Sequence, residues 1–339
     1  MKGLAFLLAA ALAARAQFPS LAPTDDGKQL YFSTTLRLPG ETPGSDSRIF
    51  RYSDAGLELF AAQPPDLPGY HDAYIQPAFY MPFVSDDGRT VAYTGDAYCP
   101  PFYACLAGPY ATGVVRGRNA GSPGEGTLSV SHNGRWATLT ARNYSGGHSG
   151  PNSYFMDLVT GDRTLVPYQL FPPVSIADDG STAVSSSYIQ AVWRPDRTLP
   201  VPLTMRPGGP VALSADGRTV VGMEPAFGGA PGDIYVYRPE SGLRANIAEF
   251  PDPNEPFQYL GISNDGTWVL YRRSGPQWQA VLVNTATLRA AVIPLPNGAA
   301  ATSGALSGYA NTAFFGTSDG HLVAVDLADG VPAAVRTLW

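Results

Sequence analysis

The sequence predicts an all-β fold, and three observations support this. A short phrase returns seven times: an apolar run, usually Ser, a variable residue, Asp or Asn, Gly, and then a strand-like run. Its Gly position falls at Gly27, Gly88, Gly134, Gly180, Gly217, Gly266 and, in the last copy, Ala310. The spacings run from 37 to 61 residues, and further strand-like runs fill each interval. Such a period is typical of a β-propeller, so we expect a seven-bladed β-propeller of four-stranded antiparallel blades.

One repeat shows how a blade is built. In LGISNDGTWVLY, Leu260 and Ile262 alternate with Gly261, and Asn264-Asp265-Gly266 favours a tight hairpin before the next strand. A third and a fourth run follow in the other repeats as well, for example DIYVYRPESG with LRANIA and HLVAVDLADG with AAVRTL. Four short strands joined by tight turns form one blade.

Two repeats fit this pattern less well. The third and fourth runs of the second repeat, YACLAGPY and ATGVVRG, are rich in Gly, and the last repeat has Gly308-Tyr309-Ala310-Asn311 in place of Asp-Gly. Six or eight blades therefore remain as alternatives. The stretches 18–21 and 335–339 both resemble strands, which would let the last blade close the ring by abutting the first.

Composition limits the possible partners. The 339 residues could hold two domains, but a repeat along the whole length favours a single domain over residues 17–339. The 37 Gly and 32 Pro suit many tight turns, and 44% hydrophobic residues can form a core. The net charge is −6, and no Lys/Arg cluster is present that could bind a phosphate backbone. We expect a monomer that does not bind nucleic acid.

Residues 1–16 resemble a cleaved signal peptide. Lys2 provides a positive start, an apolar run extends from Leu4 to Leu12, and Ala14-Arg15-Ala16 forms a small-x-small cleavage site before Gln17. The alternative is a membrane anchor, but the run is shorter than the ~20 residues that span a bilayer. We expect a secreted or periplasmic protein with no membrane insertion after cleavage.

Two cysteines, Cys99 and Cys105, lie close together in CPPFYAC. In an oxidising compartment, such a pair most simply forms a disulfide that stiffens one loop. A redox-active pair would need CxxC-like spacing at a helix N-terminus, and the sequence indicates neither. A structural disulfide is the prediction.

The phrase Ser-x-Asp-Gly, two residues and an apolar strand resembles the TolB-type, WD-repeat-like propeller repeat of bacteria, and it covers residues 17–339. That family usually has Pro after the Ser, where this chain has Asp86, His132, Ala215 and Asn264. The resemblance implies the fold. It leaves the function open, because propellers of this kind serve as scaffolds, lectins, lyases and lactonases.

Nearly all insertions lie on one side of the predicted disc. The turns between first and second strands and between third and fourth strands are almost all short, whereas the connections on the opposite side are long. Loops on a rigid scaffold often carry binding residues. Aromatic and His side chains are concentrated in the long connections of the first three repeats. The candidate ligand-binding residues are Tyr70, His71, Tyr74, Tyr98, Phe102, Tyr103, Tyr144 and His148. Packing of these side chains onto the disc is the alternative.

Catalytic patterns are scarce. His132 is expected in a tight turn, while His71, His148 and His321 map to the long-loop side but come from three different repeats, so we predict neither a metal nor a cofactor. A glycosidase-like acid pair depends on a separation that sequence does not supply. The carboxylates on that side are Asp46, Asp66, Asp72, Asp96, Glu125, Glu224, Asp233 and Asp252.

Three functions are compatible with these features. The first is a secreted or periplasmic non-enzymatic β-propeller that binds a protein or glycan through aromatic loops on one face. The alternative is a carbohydrate- or lactone-directed enzyme with a site in the central funnel. The third, suggested by the TolB-type resemblance, is a structural or assembly component of the bacterial envelope.

Overall fold

The computed structural model describes residues 18, 20–34, 48–62, 83–89, 91–95, 103–108, 111–116, 125–142, 151–166, 175–185, 190–194, 201–204, 211–224, 232–250, 257–274 and 278–339. These residues form seven sheets, and each consists of four antiparallel strands that are consecutive in the chain. The predicted all-β propeller with four-stranded antiparallel blades is confirmed. No helix within the described ranges is long and apolar enough to cross a membrane.

The first four sheets have the following strands. Sheet 1 contains β1 (Ser20–Pro23), β2 (Leu30–Ser33), β3 (Arg48–Ser53) and β4 (Gly56–Ala62). Sheet 2 contains β5 (Phe83–Val84), β6 (Val91–Gly95), β7 (Tyr103–Gly108) and β8 (Ala111–Arg116). Sheet 3 contains β9 (Glu125–Val130), β10 (Trp136–Arg142), β11 (Pro151–Asp157) and β12 (Arg163–Val166). Sheet 4 contains β13 (Ser175–Ile176), β14 (Thr182–Ser185), β15 (Gln190–Trp193) and β16 (Val201–Thr204).

The remaining three sheets follow the same order. Sheet 5 contains β17 (Val211–Leu213), β18 (Val220–Glu224), β19 (Gly232–Arg238) and β20 (Leu243–Phe250). Sheet 6 contains β21 (Phe257–Ile262), β22 (Trp268–Arg273), β23 (Gln279–Asn284) and β24 (Ala290–Ile293), followed by a short 3₁₀ helix at Pro296–Gly298. Sheet 7 contains β25 (Ala301–Leu306), β26 (Thr312–Thr317), β27 (Leu322–Ala328) and β28 (Val331–Thr337).

The repeated phrase forms the hairpin between the first and second strands of a sheet. In sheet 6, the Ser263 hydroxyl donates to Asp265 (2.7 Å) and accepts from the Trp268 N–H (2.9 Å), while the Asp265 carboxylate accepts from the Thr267 N–H (2.9 Å). Gly266 has φ 68°, and a side chain there would also collide with Thr219 of sheet 5. The phrase therefore specifies both the turn and its close approach to the preceding sheet.

The core lies between successive sheets. Val221 and Ile234 of sheet 5 pack with Val269 and Val283 of sheet 6, and comparable clusters join sheets 3 with 4, 4 with 5 and 6 with 7. Each sheet is too small to bury both faces by itself, so the stability of one sheet depends on its neighbours.

Sheet 7 packs directly against sheet 1. Phe314 shares a buried cluster with Phe32 and Phe50. The strands begin and end elsewhere than the sequence suggested, since β1 begins at Ser20 and β28 ends at Thr337. Trp339 follows β28 and still hydrogen-bonds to the backbone of Leu322 in β27, and the Leu322 N–H donates to its oxygen (3.1 Å). Its indole packs among the aromatic side chains of sheet 1, with centroid distances of 5.9 Å to Phe50 and 6.0 Å to Phe32.

Candidate functional site

The antiparallel strand order places the connections on two faces. We call the side with the turns between first and second strands and between third and fourth strands the turn face, and the opposite side the loop face. His132 lies in a β9–β10 turn on the turn face, as predicted. His321 lies on the loop face between β26 and β27, where its Nδ1 is 3.2 Å from the carbonyl oxygen of Trp339.

Most of the predicted binding residues lie outside the described residues. They are Tyr70, His71, Tyr74, Tyr98, Phe102, Tyr144 and His148, together with Cys99 of the predicted disulfide. Tyr103 is the first residue of β7, at its loop-face end, and Cys105 lies two residues further along the same strand. Among the residues that the structure describes, no group of three or more His, Cys, Asp or Glu could hold a metal ion.

Hydrogen bonds join the turn of each sheet to the turn of the next around the turn face. Six are backbone N–H to carbonyl bonds: Asp25 to Asp86 (3.2 Å), Asp86 to His132 (2.6 Å), Asp178 to Ala215 (2.8 Å), Asp216 to Asn264 (3.3 Å), Asn264 to Gly308 (2.8 Å) and Tyr309 to Asp25 (2.9 Å). Between sheets 3 and 4, the Asn133 N–H donates to the Asp178 carboxylate (2.8 Å). These seven bonds of the described turns form a closed set, which we call the turn-face hydrogen-bond ring.

Asp25 occupies the centre of this ring. Its side chain reaches His132 of sheet 3, with an Oδ1 to Nδ1 distance of 3.4 Å, and accepts a hydrogen bond from the Asn264 side chain of sheet 6. The residue is only 5% exposed. Its carboxylate fits here because residue 308 is Gly, and a Cβ at that position would overlap it. One carboxylate thus connects turns from sheets on both sides of sheet 1.

Two further carboxylates lie near Asp25. Burial raises the pKa of Asp86, and the negative charge of Asp25 raises it further. Burial also raises the pKa of Asp178, and the charges of Asp25 and Asp179 add to this, while the hydrogen bond from Asn133 and the nearby His132 oppose it. The centre of the turn face is therefore acidic and closely packed.

This cluster of polar side chains around Asp25 was not predicted from the sequence. The available signal was the residue after the Ser, Thr or Ala of the phrase, which is polar at Asp25, Asp86, His132, Asp178 and Asn264. Because this residue lies in the turn two residues after the first strand of its sheet, a polar residue in that position recurs around a common axis.

Two of the predicted carboxylates are brought together, but away from that axis. Glu224 and Asp233 are directly paired across β18 and β19, the second and third strands of sheet 5, and are 2% and 9% exposed. Arg244 lies 3.0 Å from Glu224 and 3.8 Å from Asp233, and its guanidinium stacks on Tyr235 (4.1 Å). This ionic cluster is closed to substrate, so we interpret it as structural. Of the other carboxylates, Glu125 is on β9 and the rest lie outside the described residues.

A different arrangement occurs at the loop-face edge of sheets 6 and 7. Arg272 of β22 is opposite Gln258 of β21, and its Nε donates to the Gln258 side-chain oxygen (2.8 Å). Its Nη1 donates to the carbonyl oxygen of Ala301 (2.8 Å), and its guanidinium lies 4.3 Å from the centre of the Trp278 ring. This edge of the two sheets therefore presents a cation next to an aromatic ring. The sequence analysis did not predict it, because it considered pairs of carboxylates and groups of His.

No family model matches this chain, and no curated protein matches it. The crystal structure of TolB from Acinetobacter baumannii is similar over 82% of this chain, with 14% sequence identity and a TM-score of 0.44. The chain spans about half the length of that protein, since the match covers 54% of it. The fold itself rests on the strand order of the seven sheets.

Proposed function

We propose that the seven sheets are the seven blades of one closed propeller over residues 17–339, which binds a protein or glycan partner through its loop face without catalysis. The proposal includes export by the signal peptide at 1–16, a secreted or periplasmic location and a loop-stiffening disulfide between Cys99 and Cys105.

The observation that carries this proposal is the closure of the turn face. The turn-face hydrogen-bond ring ties the short turns together, and the buried Asp25 carboxylate lies at their centre. The long connections that the sequence predicts start and end at strand termini on the opposite face, and loops on a rigid scaffold often carry binding residues. This favours the loop face over the short, mutually bonded turns as the binding face.

The experiment compares the two faces. Tyr98→Ala combined with Tyr103→Ala removes two aromatic residues of the predicted loop site, and Tyr309→Ala is the matched control, because Tyr309 is 67% exposed on the turn face. Partners are captured from envelope extract and on a glycan array, and the affinity for each is then measured with the purified variants. We expect the double variant to bind at least about tenfold more weakly, since loss of aromatic anchors commonly costs 2 kcal/mol or more.

The control should bind as the unaltered protein does. Equal affinity of the double variant and the unaltered protein would show that the loop site is wrong, and loss of binding in Tyr309→Ala alone would assign binding to the turn face.

A further inference from the structure

Arg272 is a partly buried cation at the loop-face edge of sheets 6 and 7. Burial lowers its pKa, and it takes part in no ion pair within the described part of the chain. Its two hydrogen bonds go to neutral oxygens, those of Gln258 and Ala301. Because these acceptors are neutral, the guanidinium keeps its positive charge for an anionic ligand.

The guanidinium is held in a defined orientation. The Trp278 ring lies against it, and the Ala301 N–H donates to the Trp278 carbonyl oxygen (3.2 Å), which ties sheet 6 to sheet 7 at this point. Within the described residues, Nη2 of Arg272 makes no hydrogen bond, so this nitrogen is available to an external acceptor. A fixed guanidinium next to an indole is suited to a planar anion.

The groups around Arg272 suit a ligand that carries one negative charge and several hydroxyl groups. Gln258 and Ser318 are exposed at this edge, and Ser318 is bonded to Ala300 through both its N–H and its hydroxyl. Arg273 follows Arg272 on β22 but points to the other side of the strand. An acidic peptide would place several carboxylates against this one cation, whereas a uronic acid has one carboxylate, several hydroxyls and an apolar ring face.

We propose that the loop-face edge of sheets 6 and 7 is a subsite for the carboxylate of a uronic acid residue in an acidic oligosaccharide. This inference rests on the proposed loop-face binding and specifies its ligand class. Arg272 binds the carboxylate, Trp278 offers apolar contact to the sugar ring, and Gln258 and Ser318 hydrogen-bond to hydroxyl groups.

The test is calorimetric titration with three probes: a short oligogalacturonate, the same oligomer with its carboxyl groups reduced to alcohols, and oligoglutamate. We expect the unaltered protein to bind only the first. Arg272→Gln should weaken that binding roughly 10- to 100-fold, the value of a hydrogen bond to a charged group. Arg273→Gln is the matched control and should change it less than about threefold, since an exposed charge contributes little.

Arg272→Lys provides a second variant that keeps the charge but not the planar fork, and it should lie between the unaltered protein and Arg272→Gln. Thermal unfolding of each variant checks that it is folded. Equal binding of the reduced oligomer, equal binding of oligoglutamate, no binding of oligogalacturonate, or an unaffected Arg272→Gln would each overturn the subsite. In any of these cases, the Tyr98→Ala, Tyr103→Ala double variant is still compared with the unaltered protein for binding to the captured partner. Weaker binding by the double variant would reject the uronic acid subsite and retain the proposed loop-face binding.

Discussion

The residue that follows the Ser, Thr or Ala of the phrase contributes to the turn face through its backbone and, in several sheets, through its side chain. Through its backbone, it donates a blade-to-blade hydrogen bond at Asp25, Asp86, Asp178 and Asn264. A proline at this position would lack that N–H and could not donate the bond. The side chains of Asp25, His132 and Asn264 also meet at the centre of the turn face.

Gly308 is the position where this packing is tightest. A Cβ at residue 308 would overlap the Asp25 carboxylate and the Asn264 side chain. We expect Gly308→Ala to lower the free energy of unfolding by about 1 to 3 kcal/mol, the usual cost of overpacking. Urea unfolding measures this loss.

Asp25→Ala supplies the control, because it removes the carboxylate that the new Cβ of Gly308→Ala would overlap. In that background, Gly308→Ala should cost at least about 1 kcal/mol less, as expected for residues in contact. Equal costs in both backgrounds would show that the two residues do not contact each other.

At the scale of the element, the hairpin turn depends on one carboxylate. Burial alone would raise the pKa of Asp265, but hydrogen bonds from Ser263 and from the hydroxyl and N–H of Thr267 outweigh it and lower the pKa below 3.8. Because the folded pKa is the lower one, ionised Asp265 stabilises the fold above the unfolded value, and this contribution is lost as the pH falls through the folded pKa.

Asp265→Ala should therefore lower the free energy of unfolding by about 1 kcal/mol at neutral pH, comparable to loss of a helix cap. Asp265→Asn keeps an acceptor oxygen and should retain most of the stability while losing its pH dependence. Urea unfolding at neutral pH and well below pH 3.8 measures both effects. A difference between the unaltered protein and Asp265→Asn that does not shrink in acid contradicts this assignment.

At the scale of the whole molecule, the contact between sheets 7 and 1 is reinforced by residues 338–339. The Leu338 N–H donates to the Leu322 carbonyl oxygen (2.8 Å), and the Trp339 ring lies 5.6 Å from that of Phe18. Residues near both ends of the sequence therefore pack into one aromatic cluster, without exchange of a strand between the two sheets.

Trp339→Ala should lower the free energy of unfolding by about 2 to 3 kcal/mol, somewhat less than for a fully buried Trp. Val335→Ala on β28 is the control, since Val335 is 44% exposed and should change stability by no more than about 0.5 kcal/mol. Denaturant unfolding and limited proteolysis check both. Similar stability of the two variants would show that Trp339 does not stabilise the contact between sheets 7 and 1.

The sequence predicted the fold better than the candidate sites, for a physical reason. Alternating apolar residues and turn residues such as Asn264-Asp265-Gly266 act locally, so hairpins and four-stranded sheets can be read from the repeat. The cluster of Asp25, His132 and Asn264 depends on which sheets face one another across the axis, and no local pattern contains that information. Arg272 was missed for the same reason, because its hydrogen bond to Ala301 arises only when sheets 6 and 7 pack.

The direction of the turn-face hydrogen bonds has an electrostatic consequence. In each described bond, the sheet that comes first in the chain donates to the next one, and sheet 7 donates to sheet 1. Peptide dipoles arranged head to tail in a circle largely cancel, unlike those of a helix, which add along its axis. The peptide dipoles of this ring therefore add little net field along its axis, and they leave the negative charges of Asp25, Asp86 and Asp178 unopposed there.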